Sequence, residues 1–363
     1  MGRTAFISVA AAEMNLGDVF IRRAITRHIA ANDHHAVVYT GSMGESYVGA
    51  FELPDTWVVT GSPRRFLPLL LRACLRREAL VIMAPAPARL DRKGFYLAKQ
   101  VGVACLLALT RLCGNRVVVM GRALRGSGRL AVMAERMTAR ISSLYLARDP
   151  QTAELMGSNA QFKPDLGFAD IAARPRPDVT SNSPRTLVAL SLRYDRPPVT
   201  ELVVKFVERV RAQGFEVVMV TQVRQDRAIN QKLADACGID HVDWPHTRSH
   251  LDQESAVIDV YSRCIAVVSN RLHALVIGGR YGAVPIIADE INESKLHATL
   301  DDLLKPQSVW LHSSADEQPI DVSETEVERM RAQFAAAAEA LEPALQELQN
   351  LLGSPTREAL PAR

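Results

Sequence analysis

Ser269-Asn270-Arg271-Leu272-His273-Ala274 stands between apolar runs of two kinds. Ile265-Ala266-Val267-Val268 before it reads as a buried strand, and Leu275-Val276-Ile277-Gly278-Gly279 after it as a helix. Val284-Pro285-Ile286-Ile287-Ala288 then reads as a second buried strand. Arg271 and His273 therefore fall where a strand ends and a helix begins, the edge of an open α/β sheet at which ligands bind. A helix start offers unpaired N–H groups to an anion. Arginine adds a fork for phosphate or carboxylate, and histidine a group that exchanges protons near neutral pH. The same two residues would also serve as an ordinary helix cap and its neighbour.

Working outward, the alternation recurs in both directions. Strand patterns at 5–10, 36–39, 57–60, 80–84, 116–120 and 144–147 are separated by helical ones, notably Asp91 to Leu112. A stretch holding Pro175, Pro177, Pro184, Ser181, Asn182 and Ser183 reads as a linker. Strands at 186–193 and 215–221 restart the alternation after it. Alternating strands and helices imply parallel, doubly wound sheets. The expected organisation is an α/β domain over 1–172, a linker over 173–185 and a second α/β domain over 186–322. C-terminal helices over 323–353 pack back on the body, and 354–363 is a tail.

The 363 residues suit two domains, and 48% hydrophobic with 23% charged residues is an ordinary globular balance. A net charge of +3 gives no case for nucleic acid as a partner. The five cysteines form no C-x-x-C pair and read as reduced, mostly buried thiols. His241, His246 and His250 fit no metal spacing and read as loop residues, so no metal is expected. The N-terminus runs straight into a strand pattern with no signal peptide, and Val101 to Thr110 is far shorter than the about 20 residues of a membrane span. A cytoplasmic protein is expected, with contact at the inner face of the membrane left open.

One dinucleotide-type match, Gly126-Ser127-Gly128-Arg129-Leu130-Ala131, is set aside because the preceding strand reads as ending at Met120, several residues too early. Arg64, Arg65, Arg122, Arg125 and Arg129 read as a solvated surface, with an anionic acceptor as the alternative use.

Ser-x-Arg-Leu-His-Ala, then Gly282, Pro285, Ile286 and Lys295, resembles the C-terminal signature of the polysaccharide pyruvyl transferase family. Asn15-Leu16-Gly17-Asp18 resembles that family's N-terminal Asn-x-Gly-Asp; on the residues alone it reads first as a helix cap, Asp18, with a turn glycine. Arg148-Asp149, Thr152, Gly157 and Asp165 also match, as does the acid after the strand end, Asp226. The turns after Thr60 and Met120 match poorly: Gly61 is followed by Arg64 and Arg65, with no acid. The resemblance implies two Rossmann-like domains facing across a cleft, as in GT-B glycosyltransferases. It implies a reaction in which phosphoenolpyruvate, a co-substrate, places its three carbons on two hydroxyls of a sugar as a cyclic ketal, without any cofactor. It casts His273, Arg271 and Arg193 as catalytic, and Asn15, Gly17, Asp18, Ser269, Leu272 and Lys295 as substrate-binding. The saccharide acceptor would be free, lipid-linked or nucleotide-linked. Two rival readings share these residues: a nucleotide-sugar-dependent glycosyltransferase, and a non-catalytic glycan-binding relative. The oligomeric state is not readable from the chain.

Overall fold

The computed structural model describes residues 2–91, 93–173, 185–289, 294–311 and 319–353. Most of the expected linker and the tail from 354 lie outside them. The chain forms two compact units, one of residues 1–13, 21–172 and 339–363, the other of 14–20 and 173–338.

The first unit holds strands β1 (Thr4–Ser8), β2 (Ala36–Tyr39), β3 (Val58–Thr60), β4 (Ala79–Met83), β5 (Ala86–Arg89), β6 (Arg116–Arg125), β7 (Leu144–Ala147) and β8 (Gln161–Phe162). They lie in the order β3-β2-β1-β4-β6-β7-β8, with β5 beside the far half of β6, and every pairing is parallel. Phe6, Val37, Leu80 and Val117 to Met120 are buried, as expected for strands covered on both faces. The helix Glu342–Leu352 closes this unit: Leu345, Leu348 and Leu352 are buried, and the Arg3 N–H donates to the Leu352 carbonyl at 2.8 Å.

The second unit holds β9 (Leu187–Ser191), β10 (Glu216–Val220), β11 (Asp240–Val242), β12 (Cys264–Ser269), β13 (Val284–Asp289) and β14 (Gln307–Trp310). Their order is β11-β10-β9-β12-β13-β14, again all parallel. This is the same winding as in the first unit, outward from the first strand and then back across it. The helix Glu324–Glu339 packs here: its Phe334 ring lies so close to Gly279 that a β-carbon at that glycine would overlap it.

Strand β6 corrects the sequence reading. Gly121 does not begin a turn. It takes φ +70° inside the strand, where the pairing with β7 shifts register, so it makes a bulge and the strand continues to Arg125. Gly126 therefore directly follows a strand, and the ground for setting the glycine motif aside falls. Its glycines nevertheless serve the protein's own chain. A β-carbon at Gly126 would sit 2.9 Å from the Asp91 nitrogen, and one at Gly128 would overlap the Leu90 carbonyl.

The extended strand also carries Arg122 into the interior. Arg122 is buried and forks onto the buried Glu135 at 2.8 and 2.9 Å, while the Tyr145 hydroxyl donates to the same carboxylate at 2.8 Å. Arg125 pairs with Asp149 at 3.1 Å. Neither belongs to a solvated surface; Arg64, Arg65 and Arg129 are exposed.

The family-like residues around β7 brace the fold. Asp149 caps the next helix by accepting from the Thr152 N–H at 2.8 Å. Thr152 accepts from the Leu124 N–H at 2.8 Å, and Arg148 pairs with buried Asp165 at 2.8 Å.

His241 lies in β11 and bonds Thr221 and Gln231, and buried His250 opens the helix His250–Arg263 against Trp244. Both positions correct the loop reading. Cys74, Cys237 and Cys264 are buried, whereas Cys105 and Cys113 are exposed.

Candidate active site

In the second unit the chain winds from β9 out to β11, then returns to lay β12 against the other side of β9. The carboxyl ends of β9 and β12 thus flank the topological switch point, where the diverging connections leave a crevice. Arg193 follows β9, and Arg271 and His273 follow β12. The two strand ends are tied together: the Ser269 hydroxyl donates to the Ser191 carbonyl, and the Arg193 N–H donates to the side-chain oxygen of buried Asn270 at 3.0 Å.

Arg271 is the N-cap residue of the helix Leu272–Arg280, and its own N–H donates to the Ser269 hydroxyl at 2.9 Å. Its guanidinium forks onto Asp226, with both contacts at 2.6 Å. Asp226 is buried and also accepts the Tyr194 N–H at 3.0 Å. A bidentate pair of this kind fixes the plane of the arginine. Arg193 forks in the same way onto Asp195, at 2.9 and 2.6 Å, but Asp195 is substantially exposed. Hydrogen bonds from Arg193, followed by the charges of Arg193 and Arg271, outweigh partial burial and hold the Asp195 carboxyl below its ordinary range.

The segment from Met14 to Phe20, which runs into the start of the helix Leu16–Ala31, belongs to this unit though far from it in sequence. Asn15 bridges Val223, the Leu16 N–H donates to the Gln222 carbonyl at 3.3 Å, and the Arg224 N–H donates to the Met14 carbonyl at 2.9 Å. The helix begins at Leu16, so its cap is Asn15 and not Asp18: the Asn15 side-chain oxygen accepts from the Gly17 N–H at 3.0 Å, and its amide donates to Asp18 at 3.0 Å. Gly17 sits against the imidazole. A β-carbon here would lie 2.5 Å from the His273 Cβ and Nδ1. Glycine is thus needed for space, since its φ is not in the left-handed range.

Gly17→Ala is therefore expected to displace the His273 ring while leaving the fold intact. Ring-proton NMR of the histidines checks the displacement. Gly49→Ala, which meets nothing within 4 Å, is the control that should leave the spectrum unchanged. An unmoved His273 signal in Gly17→Ala would refute the packing argument.

Of the residues singled out in the sequence, Asn15, Gly17, Asp18, Arg193, Ser269, Arg271, Leu272 and His273 all lie in this unit, on the Met14–Phe20 segment or at and just beyond the ends of the two central strands. Leu272 and His273 are half-buried in the first turn of their helix. Lys295 is in the helix Ser294–Leu300, but its side chain lies outside the described residues. Asp195, Asp226 and Asn270 complete the network. Asp226 is visible in sequence as an acid after a strand, but its pairing with an arginine 45 residues away leaves no local spacing to read. Among the described residues no group of His, Cys, Asp and Glu could hold a metal ion.

A family model for polysaccharide pyruvyl transferase matches residues 15–287. No curated protein sequence matches the chain. Among solved structures, a putative UDP-N-acetylglucosamine 2-epimerase from Listeria monocytogenes is similar, with 8% identity, all of both chains covered (100% and 100%) and a TM-score of 0.59. The S. aureus MnaA–UDP structure is 8% identical over 98% of this chain and 99% of that one, with a TM-score of 0.57. The glycosyltransferase SnogD from Streptomyces nogalater is 14% identical over 96% and 99%, with a TM-score of 0.53. At these identities the likeness concerns the fold, that of GT-B glycosyltransferases and epimerases with two Rossmann-like sheets. The family match begins at Asn15, two residues before the glycine that meets His273, and runs into β13, so it takes in both halves of the arrangement just described; this chain belongs to the polysaccharide pyruvyl transferase family, a family of transferases.

Proposed function

We propose that the protein is a phosphoenolpyruvate-dependent ketal pyruvyltransferase acting on two hydroxyls of a sugar in a polysaccharide, a glycolipid or a lipid-linked precursor. The observation that carries this reading is the joining of His273, Arg271 and the Asn15–Asp18 helix start in one unit, beside its switch point.

His273 acts as the acid that protonates the methylene carbon of phosphoenolpyruvate, which becomes a methyl group and leaves an oxocarbenium-like centre. One sugar hydroxyl attacks the central carbon, which bears the phosphate and is now the oxocarbenium-like centre, and loses its proton. Phosphate then leaves with the bonding electrons, and the second hydroxyl attacks and loses its proton in turn. The product is a cyclic ketal that keeps the pyruvyl carboxylate, together with free phosphate. Asp18, in the first turn of the helix whose Gly17 meets His273, is our candidate for accepting a hydroxyl proton. Arg271 and Arg193 offset the charge of the carboxylate and phosphate. Asp226 is buried and stays on Arg271, so Arg271 offers its outer N–H groups. Asp195 is exposed, so an anionic substrate displaces it from Arg193.

Calorimetric titration with phosphoenolpyruvate, beside UDP-, GDP- and dTDP-sugars, tests this reading. Saturable phosphoenolpyruvate binding is expected, with about a hundredfold loss in Arg271→Ala. Arg271→Ala/Asp226→Asn, which leaves no orphaned buried carboxylate, should lose it too. Binding of a nucleotide-sugar but not phosphoenolpyruvate would overturn the proposal in favour of a glycosyltransferase.

A further inference from the structure

Three helices of the first unit break the usual rule for a protein surface. Pro63–Arg76, Phe95–Leu112 and Arg129–Ile141 carry the connections β3→β4, β5→β6 and β6→β7. These connections all run in one direction across the sheet, so right-handed crossovers put them on one face. Phe95–Leu112 packs on Arg129–Ile141, and its Thr110 meets Cys74 of Pro63–Arg76.

The outer side of this layer is apolar. Leu67, Leu71 and Leu75 repeat every four residues and are exposed, Leu75 to 75%. On the next helix Phe95 is 78% exposed and Leu112 83%, with Leu106 and Leu109 exposed between them. Leu130 and Met133 extend the patch onto the third. Scattered exposed leucines need no account, but a contiguous layer of them does.

The charges on the same helices are all of one sign where they meet solvent. Arg64, Arg65, Arg72 and Arg76 lie on the first, Lys99 and Arg111 on the second, and Arg129, Arg136 and Arg140 on the third. The first two helices contain no acid, and Glu135, the one acid of the third, is buried in its pair with Arg122. A second copy of the same face would bring these cations together, whereas an anionic surface would neutralise them.

Phe95–Leu112 has 18 residues with a mean hydropathy of 1.3, long and apolar enough to cross a bilayer by those measures, which corrects the shorter stretch read from sequence. It cannot cross in this fold. Both of its ends join neighbouring strands of one sheet, and Ala104, Leu107 and Thr110 are buried against the unit; spanning would pull open strand edges into hydrocarbon. Apolar side chains outward with basic ones beside them suit a helix lying in the plane of the lipid headgroups.

We propose that this helical face docks on an anionic phospholipid bilayer, seating its leucines among the acyl chains and its arginines among the phosphates. The proposal rests on the first unit alone and is independent of the reaction. Flotation of the full chain with vesicles tests it. The protein should float with equimolar phosphatidylcholine–phosphatidylglycerol vesicles and stay behind with pure phosphatidylcholine. Leu71→Glu/Leu109→Glu and, separately, Arg72→Glu/Arg76→Glu should each reduce partitioning about tenfold or more, with circular dichroism and melting unchanged, since all four side chains are exposed. The anionic vesicles should also shield Cys105 and Cys113, which are exposed on and beside the middle helix, from a charged maleimide. Failure to float with anionic vesicles, equal binding to neutral ones, or flotation indifferent to the substitutions would overturn the proposal. A dimer in vesicle-free buffer that the leucine variant dissolves would overturn it as well, in favour of a second copy on this face.

Discussion

His273→Ala is expected to reduce turnover by about 10²- to 10⁴-fold, the usual contribution of a positioned general acid, while phosphoenolpyruvate affinity changes only a few-fold. The split follows from position. His273 is half-buried in the first turn of Leu272–Arg280, its ring held against Gly17. Its helix is anchored by the buried side chains of Ala274, Leu275, Val276 and Ile277, so the protein should fold. Its proposed work is on the methylene carbon, whose charge changes only as the reaction proceeds, so removing it should act on kcat. Arg271 differs, because in the proposed reaction its charge faces the substrate in both ground and transition states, and Arg271→Ala should weaken binding as well as turnover. Steady-state kinetics of phosphate release, paired with calorimetry, separates the two. Near-normal turnover in a folded His273→Ala protein would remove His273 from the mechanism.

Glu135→Ala is expected to destabilise the first unit by about 3–5 kcal/mol, the range for breaking a buried ion pair from one side. The loss is large because three groups are orphaned together. Arg122 is left as a buried cation, and the Tyr145 hydroxyl and the Gln100 amide lose their acceptor. Arg122→Met/Glu135→Leu, which removes both charges at similar volume, should recover most of it.

The pair also carries a pH signature. Burial alone would raise the Glu135 carboxyl, but the charge and hydrogen bonds of Arg122, with those of Tyr145 and Gln100, outweigh it and hold the group below its ordinary range. A carboxyl depressed by folding adds stability that is present above its unfolded value, about 4.3, and is lost as pH falls through its lower folded value. The stability gap between the wild type and Glu135→Gln should therefore narrow below about pH 4. Urea unfolding across a pH series measures this, and a gap that widened in acid would contradict the assignment.

Much of this was legible in the chain because long apolar runs bounded by polar turns mark parallel strands. Val267 and Ile286 sit in the middle of such runs, and the intervening Arg271 and His273 are placed at a strand's carboxyl end by that fact alone. Short edge strands were not legible: β5 is Ala-Pro-Ala-Arg and β8 only two residues, with no period to detect. Gly121 misled because a glycine after an apolar run looks like a turn, and only the register against β7 identifies a bulge. Arg122 was assigned to the surface because its partner Glu135 comes from the following helix. Asp226 was legible as an acid after a strand, but its pairing with Arg271 was not. An aspartate that neutralises an arginine 45 residues away is known by its contact, and such a contact leaves no trace in spacing; Asp195 lies two residues from Arg193 but matches no motif that would single it out.

The assignment of Met14–Phe20 to the second unit, and of the last helix to the first, bears on how such a chain can be inherited. A single genetic crossover in the connecting segment near residues 173–185 would exchange neither unit whole. The incoming second half would arrive without its own Asn15–Gly17 corner, and His273 would meet a loop selected alongside a different histidine. The first half would lose the helix whose Leu352 carbonyl holds Arg3. Acceptor and donor preferences in such a lineage are expected to diversify by substitutions within each unit rather than by shuffling of intact halves.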